Sequence, residues 1–228
     1  MKKFLVLGLV LLTGLAVFSQ GFSINDTTLV FRDKQGKTLT KEEVMLLMRQ
    51  KFSMSSQILP DGKKAVTIAP ISESELDQSK QEKEKFISSL VGKKLPRFSF
   101  EDINGKKIDS NTINGKMVVM NLWFTGCKPC VSEIPELNEL ANDYKENNIV
   151  FIAVSFDSKE TIQHFKAKRP FDYLLVSDQQ NYIDRLNATN YPVHIVTDKE
   201  GVILKVVVGF SEDTIGQLRY SIEKMVKK

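Results

Sequence analysis

The amino-acid sequence predicts an α/β fold in which a central mixed β-sheet carries helices on both faces. From Gly92 onward, apolar runs of strand length alternate with segments of helical periodicity, which is the pattern of such a sheet. The runs MVVMNLWF and IVFIAVSFD are continuously apolar and rich in β-branched and aromatic residues, as expected for strands buried on both faces. The chain has 228 residues, 42% of them apolar and 26% charged, which is the composition of a globular protein with room for one ordinary domain and a smaller unit.

Residues 1–19 have the pattern of a secretory signal peptide. Two lysines precede the apolar run FLVLGLVLLTGLAVF, which is too short for a comfortable membrane span. Val17 and Ser19 occupy the two positions that a signal peptidase reads if it cuts between Ser19 and Gln20. A retained membrane anchor is the alternative, and the absence of a cysteine after the run excludes a lipid-modified amino terminus. We expect a periplasmic or otherwise extracytoplasmic protein that is soluble after cleavage.

Residues 20–71 are predicted to form a small α/β appendage. TTLVFRD is typical of a short strand, Thr40 and Glu43 have the spacing of a capping box at the start of a helix, and KFSMSSQILPDGKKAVTIAP predicts two strands joined at PDG. A segment of this length buries little apolar surface by itself. Residues 72–91 follow as a charged, solvated linker, and residues 92–228 form the second domain.

The net charge gives no reason to expect a nucleic-acid partner. The formal charge of the whole chain is +4. Removal of the predicted signal peptide takes away two lysines, which leaves 30 basic against 28 acidic residues, or +2. Charges of both signs are spread along the chain, so the sequence lacks the basic patch that phosphate binding requires.

The elements of residues 92–228 follow one another in a regular order. FSFEDINGKKID predicts a hairpin that turns at Asn104–Gly105, and the buried strand MVVMNLWF comes next. After it we expect a helix from Pro129 to about Asn147, the strand IVFIAVSFD, a helix around Lys159–Lys168, the short strand YLLVSD and a helix at Asn181–Leu186. VHIVTD and VILKVVVGF then predict a hairpin, and a helix with apolar residues at helical spacing ends the chain.

The only two cysteines of the chain, Cys127 and Cys130, lie in the stretch WFTGCKPC, where a buried strand turns into a helix. A thiolate at a helix amino terminus meets unpaired backbone N–H groups and the positive end of the helix dipole, which together favour the ionised form. We expect Cys127 at that end, partly exposed, as the attacking nucleophile, and Cys130 one turn deeper, close enough to form a disulfide. Lys128 adds a positive charge that further favours the thiolate, and Pro129 stiffens the first turn.

Three other uses of the cysteine pair are less well supported. A tetrahedral zinc site needs four ligands, and the only histidines, His164 and His194, are predicted on different elements. A purely structural disulfide across so short a loop removes little entropy from the unfolded chain. Peroxide reduction requires a threonine and an arginine beside the nucleophile. Thr125 could supply the threonine, but no arginine lies near it in sequence. We therefore expect a redox-active disulfide and no metal.

The segment from Gly92 to Lys228 resembles the thioredoxin superfamily, in particular the exported TlpA/ResA-like thiol–disulfide oxidoreductases. GKKLPRFSFEDINGKKI followed by INGKMVVMNLWFTGCKPC is similar to the opening segment of that family, in which the CxxC motif carries the active site. The resemblance implies a thioredoxin-like fold for residues 92–228. The amino-terminal appendage lies outside it.

The resemblance also implies roles for the residues around the pair. Cys127 matches the solvent-exposed nucleophile of the family and Cys130 its buried resolving cysteine. Glu133 matches a buried acid, and its i, i+3 spacing from Cys130 agrees, because such residues share one helix face. A buried carboxyl group beneath the sulfurs can trade a proton with Cys130, whereas the alternative is a solvent-facing glutamate. Pro135 matches a kink of the active-site helix.

The stretch NYPVHIV supplies the second half of the implied site. Pro192 matches the cis-proline of the superfamily, so the Tyr191–Pro192 bond is expected to be cis, although cis bonds are rare even before proline. The backbone of Tyr191 would then pair with an extended peptide substrate. His194 is expected on the same face as Pro192, as a packed core or rim histidine.

Two positions depart from the family pattern. Asn121 stands where thioredoxin has a buried acid, so Glu133 must take over that role. Gly126 stands where the motif usually has tryptophan, which leaves the face beside Cys127 more open. Trp123 is retained, and we expect it to pack under the site as part of the substrate-binding region.

The sequence thus predicts an exported enzyme that exchanges disulfides with protein substrates. We expect a reductase because of Glu133, although Lys128 favours an oxidase, since a stabilised thiolate makes the disulfide a better oxidant. For a reductase, the resemblance implies a membrane thiol-transfer electron donor, with cytochrome c maturation as one destination, and no metal or nucleotide cofactor. The alternatives are a thioredoxin-like client-binding module and a disulfide isomerase, in which the appendage would serve recognition or dimerisation.

Overall fold

The computed structural model describes residues 10–12 and 27–226, apart from the side chains of residues 10–12 and of Ser56. The chain divides into two compact units, Met1–Gln81 and Glu82–Lys228. Each unit has its own β-sheet and its own apolar core.

The first unit contains a four-stranded sheet and one short helix. Its elements are β1 (Val10–Leu12), β2 (Leu29–Arg32), α1 (Lys41–Leu47), β3 (Phe52–Ile58) and β4 (Lys64–Pro70). The strand order is β1-β3-β4-β2, with β3 and β4 antiparallel and β2 parallel to β4. The β3–β4 turn contains Gly62 at a φ of 80°, a conformation that glycine adopts without steric cost. The predicted hairpin at PDG is therefore present.

Helix α1 begins with the predicted capping box. The Thr40 hydroxyl accepts a hydrogen bond from the Glu43 backbone N–H at 3.2 Å, and the Glu43 carboxylate accepts one from the Thr40 N–H at 2.8 Å. The helix packs Val44 into a small core that also contains Phe52, Val66 and Ile68. Reciprocal capping satisfies two backbone donors that a helix start otherwise leaves without partners.

Most of the predicted signal peptide lies outside the described residues. Within residues 1–19, only Val10–Leu12 is described, as the strand β1 that pairs with β3. The expected cleavage position after Ser19 is likewise outside the described part, so signal-peptide cleavage stays a prediction. Among residues 10–12 and 27–226, no helix is both long enough and apolar enough to cross a membrane.

The predicted linker at residues 72–91 is helical over most of its length. Helix α2 runs from Glu73 to Leu90, and the division between the two units falls within it, after Gln81. Its polar first half has little apolar surface to bury, whereas Phe86, Ile87 and Leu90 pack into a core of the second unit. Apolar content therefore returns in the chain where the second core begins.

The second unit is built on a five-stranded mixed sheet. Its elements are β5 (Ser99–Glu101), β6 (Lys107–Asp109), β7 (Met117–Trp123), α3 (Lys128–Ser132), α4 (Ile134–Asp143), β8 (Ile149–Ser155), α5 (Lys159–Lys166), β9 (Leu174–Val176), α6 (Gln180–Arg185), β10 (Val193–Thr197), β11 (Ile203–Val208) and α7 (Thr214–Val226). The strand order is β11-β10-β7-β8-β9. Strands β7, β8 and β9 are parallel to one another, and β10 pairs antiparallel with both β7 and β11. The β5–β6 hairpin stands apart from this sheet.

The central strand β7 is buried along its whole length and contributes to two cores. Successive strand residues point to opposite faces. Val118, Met120 and Leu122 accordingly pack with α6 and the β5–β6 hairpin on one face, which we call the hairpin face. Met117, Val119 and Trp123 lie on the other, which we call the cysteine face because it also contains Cys127 and Cys130, together with residues of α4, α5 and α7.

Candidate active site

The cysteine pair lies where β7 ends and α3 begins. Cys127 is the N-cap residue of α3, and its Sγ accepts a hydrogen bond from the Cys130 backbone N–H at 3.3 Å. The two residues are joined by a disulfide, with their Cα atoms 5.3 Å apart. Cys127 keeps 5% of its surface exposed and Cys130 none. The order of exposure is the predicted one, but Cys127 is more covered than we expected.

The loop before Cys127 is tied to the neighbouring strand. The Thr125 backbone N–H donates to the Asp157 carboxylate at 2.6 Å, and the Cys127 N–H donates to the Phe124 carbonyl at 3.0 Å. Asp157 follows β8, whose last residue Ser155 pairs with Trp123 of β7. The ends of two parallel strands therefore hold the segment that carries the nucleophilic position.

The active-site helix is interrupted at Glu133. The sequence predicted one helix from Pro129 to about Asn147, but α3 ends at Ser132, α4 starts at Ile134 and ends at Asp143, and Glu133 lies between them at φ −88° and ψ −9°. Pro135 lacks the N–H that a continuous helix would use and its ring crowds the preceding turn, which explains the break. The prediction of a single helix is wrong, whereas the expected effect of Pro135 is present.

Glu133 is 1% exposed, so the alternative of a solvent-facing glutamate is excluded. Its Oε1 lies 2.9 Å from Nε2 of His194, which has no exposed surface. The contact has the distance of an ion pair, while its angles fall outside those of a hydrogen bond. His194, expected to be a packed core or rim residue, is therefore a direct neighbour of the buried acid.

In the described part of the chain, three more side chains on the cysteine face carry buried polar atoms without a hydrogen-bond partner. Asn121 is the cross-strand partner of His194, and its amide N and O have no hydrogen-bond partner. The Tyr173 hydroxyl and the Trp123 indole Nε1 also lack one. Burial raises the pKa of Tyr173 well above 10, and the nearby Glu133 carboxylate raises it further. In the described part of the chain, nine buried side-chain nitrogen and oxygen atoms have no hydrogen-bond partner, and one of them is on Arg32. The other eight belong to Asn121, Trp123, Glu133, Tyr173 and His194, which we call the polar cluster.

The Tyr191–Pro192 bond is cis, as predicted. Tyr191 is half-buried and packs against the core that contains both cysteines. Its ring makes edge contacts with Phe124, at 5.3 Å between centroids, and Phe156, at 5.9 Å. Burial, with a smaller contribution from Asp184, raises the pKa of Tyr191 to about 12.

Trp123 and Lys128 differ in burial, since Trp123 is inside the protein and Lys128 is on its surface. Trp123 is fully buried in the core that contains the cysteines and its ring contacts Phe165 and Phe171, so it packs under the site as expected. It offers no surface to substrate, contrary to its expected place in the substrate-binding region. Lys128 is the first residue of α3, next to Cys127, and its side chain is exposed. Gly126 is exposed as well.

Two members of the polar cluster were missed as functional candidates. His194 was assigned to the correct face by strand alternation after Pro192, but its contact with Glu133 depends on the pairing of β10 with β7, which local sequence does not specify. Tyr173 precedes β9 and carries no local signal of its position. A buried acid next to a cysteine pair needs polar neighbours, and this requirement could have directed attention to the polar residues of the adjoining strands.

The side chains of the described residues form no cluster suited to a metal ion. Residues 10–12 and 27–226 contain no group of three or more histidine, cysteine, aspartate or glutamate side chains close enough to share one.

Comparisons with known proteins place this arrangement in a family. Residues 91–206, just over half of the chain, match the model of the AhpC/TSA family. The chain is 32% identical over 137 residues to the thiol-disulfide oxidoreductase ResA of Bacillus cereus, covering 59% of this chain and 78% of that protein. It is 33% identical over 121 residues to ResA of Halalkalibacterium halodurans, covering 52% and 69%.

Solved structures show the same architecture. A thiol:disulfide interchange protein of the thioredoxin family from Chlorobium tepidum has a TM-score of 0.53 at 20% identity, covering 59% of this chain and 96% of that one. At that identity the likeness shows the fold alone. The family match and the similarity to ResA show that the chain belongs to the AhpC/TSA family and is a ResA-like thiol–disulfide oxidoreductase, and the structural likeness shows its thioredoxin-like fold.

Proposed function

We propose that this protein is an exported protein-disulfide reductase whose Cys127–Cys130 couple passes two electrons to substrate disulfides. In the reduced enzyme, the Cys127 thiolate attacks a substrate disulfide, a mixed disulfide forms and one substrate thiolate leaves. Cys130 then attacks the Cys127 sulfur, which re-forms the enzyme disulfide and releases the second substrate thiol. The observation that carries the proposal is the pair itself, with Cys127 at the start of α3 and the fully buried Cys130 bonded to it.

The environment of Cys127 supports its role as the nucleophile. The Cys130 N–H donates to its sulfur, and the same donor would stabilise a thiolate after reduction. Lys128 lies next to it in the first turn and adds a positive charge. Cys130 has no surface from which to attack a protein substrate, so it can act only on the disulfide that Cys127 has formed.

Glu133 supports the second step. Cys130 must lose its proton before it attacks, and the buried site offers no bulk water to take it. A carboxylate buried on the same face as the sulfurs can accept that proton and return it when the enzyme is reduced again.

The region around Tyr191 and Pro192 fits an extended peptide substrate. The cis bond lies at the start of β10, next to the core that contains the cysteines. Tyr191, Phe124 and Phe156 are only partly buried, so their rings form an aromatic surface beside the site, and the exposed Gly126 leaves room next to Cys127. We expect the substrate backbone to pair with Tyr191 and apolar substrate side chains to contact these rings.

The electron supply and the cellular destination follow from the proposed direction of transfer. The mechanism needs no metal or nucleotide, because two thiols carry both electrons. An exported reductase must be reduced again from across the membrane, so a membrane thiol-transfer donor is the expected partner, and cytochrome c maturation is one process that consumes such electrons. Cleavage after Ser19 would release the protein into the periplasm or an equivalent compartment.

Insulin reduction by dithiothreitol tests the activity. Catalysed precipitation of the insulin chains that is lost in Cys127→Ser supports the proposal. Protection of insulin without exchange would instead support the client-binding module, which the similarity to ResA does not favour.

Titration of the couple against glutathione and dithiothreitol tests the direction. A reduction potential near thioredoxin's value of about −270 mV supports a reductase, while a value near about −120 mV would make the protein an oxidant. Expression of the full chain, followed by cell fractionation and mass determination of the amino terminus, tests export and cleavage at Ser19–Gln20.

A further inference from the structure

We propose that His194 is a positioning residue for disulfide exchange, whose imidazole provides the buried positive charge that enables Glu133 to take the proton of Cys130. The inference rests on the proposed function and extends it by one residue. It is derived from the contact between two buried groups that come from different elements, α3–α4 and β10.

The backbone holds His194 against Glu133. Strand alternation puts His194 on the cysteine face, and its register partner Asn121 lies on the same face of β7. Glu133 is fixed from the other side by the junction of α3 and α4, where its carbonyl accepts the Leu137 N–H at 3.0 Å. The 2.9 Å distance between Glu133 Oε1 and His194 Nε2 therefore depends on sheet register and on the helix break.

Charge balance explains why the acid needs this neighbour. A lone carboxylate is costly to bury unless an opposite charge or hydrogen bonds compensate it. The titratable side chains buried with the pair on the cysteine face are Cys127, Cys130, Tyr144 and Tyr173, and the half-buried Tyr191 packs against the same core. None of these can supply a positive charge, whereas the imidazolium of His194 can, and it is buried with the acid.

The proton transfer that prepares Cys130 for exchange can then occur without a change in the net charge of the buried group. Before the step, Cys130 is a thiol, Glu133 a carboxylate and His194 an imidazolium. The thiol proton moves to the Glu133 carboxylate, and the resulting Cys130 thiolate attacks the Cys127 sulfur of the mixed disulfide. The new Cys127–Cys130 bond forms, the bond to substrate breaks, and the substrate sulfur leaves with the electron pair. The cluster is neutral before proton transfer and after it, because the thiolate charge is balanced by the imidazolium.

Stopped-flow reaction of the reduced protein with the aromatic disulfide dithiobis(nitrobenzoate) separates the two steps. The first release of coloured thiolate reports attack by Cys127, and the second reports resolution by Cys130. We expect His194→Gln, which keeps a side-chain N–H but cannot carry a charge, to slow the second phase about tenfold or more at neutral pH and to change its pH profile. The first phase should change less than about twofold, since Cys127 is activated by the α3 backbone.

Matched variants distinguish chemistry from packing. Val196→Ala removes volume from the same strand and the same core and should leave both phases at the wild-type rate per folded molecule. Glu133→Gln should slow the second phase, and the double variant with His194→Gln should be no slower than Glu133→Gln alone, because His194 acts through Glu133. A normal second phase with an unchanged pH profile in folded His194→Gln overturns the inference. Failure of the wild-type protein to show either phase, or to reduce insulin, would overturn the proposed function instead.

Histidine NMR tests the inference even if His194→Gln does not fold, because the comparison of the two redox forms needs only the wild-type protein. The chain contains two histidines, His194 and the exposed His164, so the imidazole nitrogen signals of ¹⁵N-labelled protein form two sets. We expect the His194 nitrogens to shift between the disulfide and dithiol forms and between wild type and Glu133→Gln, while those of His164 stay fixed. Identical His194 signals in all three samples would contradict the proposal.

Discussion

The hairpin face and the cysteine face of the five-stranded sheet both carry a buried core but differ in chemistry. On the hairpin face, the buried tyrosine Tyr182 donates its hydroxyl to the Pro96 carbonyl at 3.0 Å, and the surrounding core is apolar. On the cysteine face, Tyr173 has no such acceptor, and a buried acid, a histidine and an amide lie near it. A single strand, β7, supplies residues to both faces.

The difference separates packing from function. Buried polar atoms without partners cost stability, and native structures contain few of them. Their concentration on the cysteine face means that this face gives up stability that the hairpin face retains. Local departures from good packing are expected at active sites, where they serve the chemistry. The comparison can be tested by changing each face separately.

The largest effect is expected on activity, from Cys127→Ser on the cysteine face. Insulin reduction should fall to the uncatalysed rate, because the nucleophile of the first step is lost. The free energy of unfolding under reducing conditions should stay close to that of the reduced wild type, since serine replaces the thiol at an N-cap position that serine suits. Residual catalysis above background would show that Cys130 can attack substrate directly.

Ile152→Ala on the hairpin face should have the opposite profile. Ile152 is fully buried in β8, so its truncation should lower the free energy of unfolding by about 2–5 kcal/mol. The exchange rate per folded molecule should be unchanged. Urea denaturation and the insulin assay measure the two quantities, and a large loss of rate in folded protein would contradict the separation of the faces.

Asn121→Leu should stabilise the protein by about 1–3 kcal/mol, because it replaces a buried amide that has no partner with an apolar side chain. Asn121→Ala serves as the control, since it removes the amide without adding apolar contacts. The measurement is the urea midpoint. A loss of stability in both variants would mean that the amide is paired in the folded state.

A smaller effect is expected at alkaline pH. Burial raises the pKa of Tyr173 and of Tyr182, and raises that of Tyr191 to about 12. The folded protein holds these protons at pH values where the unfolded chain loses them, near pH about 10. The stability that they contribute is therefore complete below that pH and is lost as the pH rises through the folded values.

Urea midpoints between pH 8 and 11.5 measure this decline, while absorbance at 295 nm follows tyrosine ionisation. Tyr173→Phe and Tyr182→Phe should each make the decline less steep, one on each face. Unchanged slopes in both variants would show that other groups cause it.

Much of this fold could be predicted from sequence because its signals are local. Apolar runs marked the buried strands, PDG and the Asn104–Gly105 pair marked turns, and the capping box marked the start of α1. The helix after Cys130 was predicted as continuous because its apolar spacing passes through Pro135 without a change of pattern. The resemblance implied a kink at Pro135, whereas the interruption at Glu133 became evident only in the backbone.

The candidate site was predictable only in part. Cys127, Cys130 and the cis bond before Pro192 could be located from motif and resemblance, and the structure agrees with their geometry. The contact of Glu133 with His194 joins residues far apart in the chain through antiparallel register, which propensity and periodicity do not encode. Trp123 was expected to help bind substrate, but strand alternation directs it inward.

The pairing of Asn121 with His194 has a consequence for the evolution of the chain. The two residues are cross-strand partners on one face of the sheet, and His194 also contacts Glu133, so a new residue at either position changes what the other can tolerate. In related chains, the identities at positions 121 and 194 should therefore change together, and more often than either changes with Val193, whose side chain belongs to the opposite face.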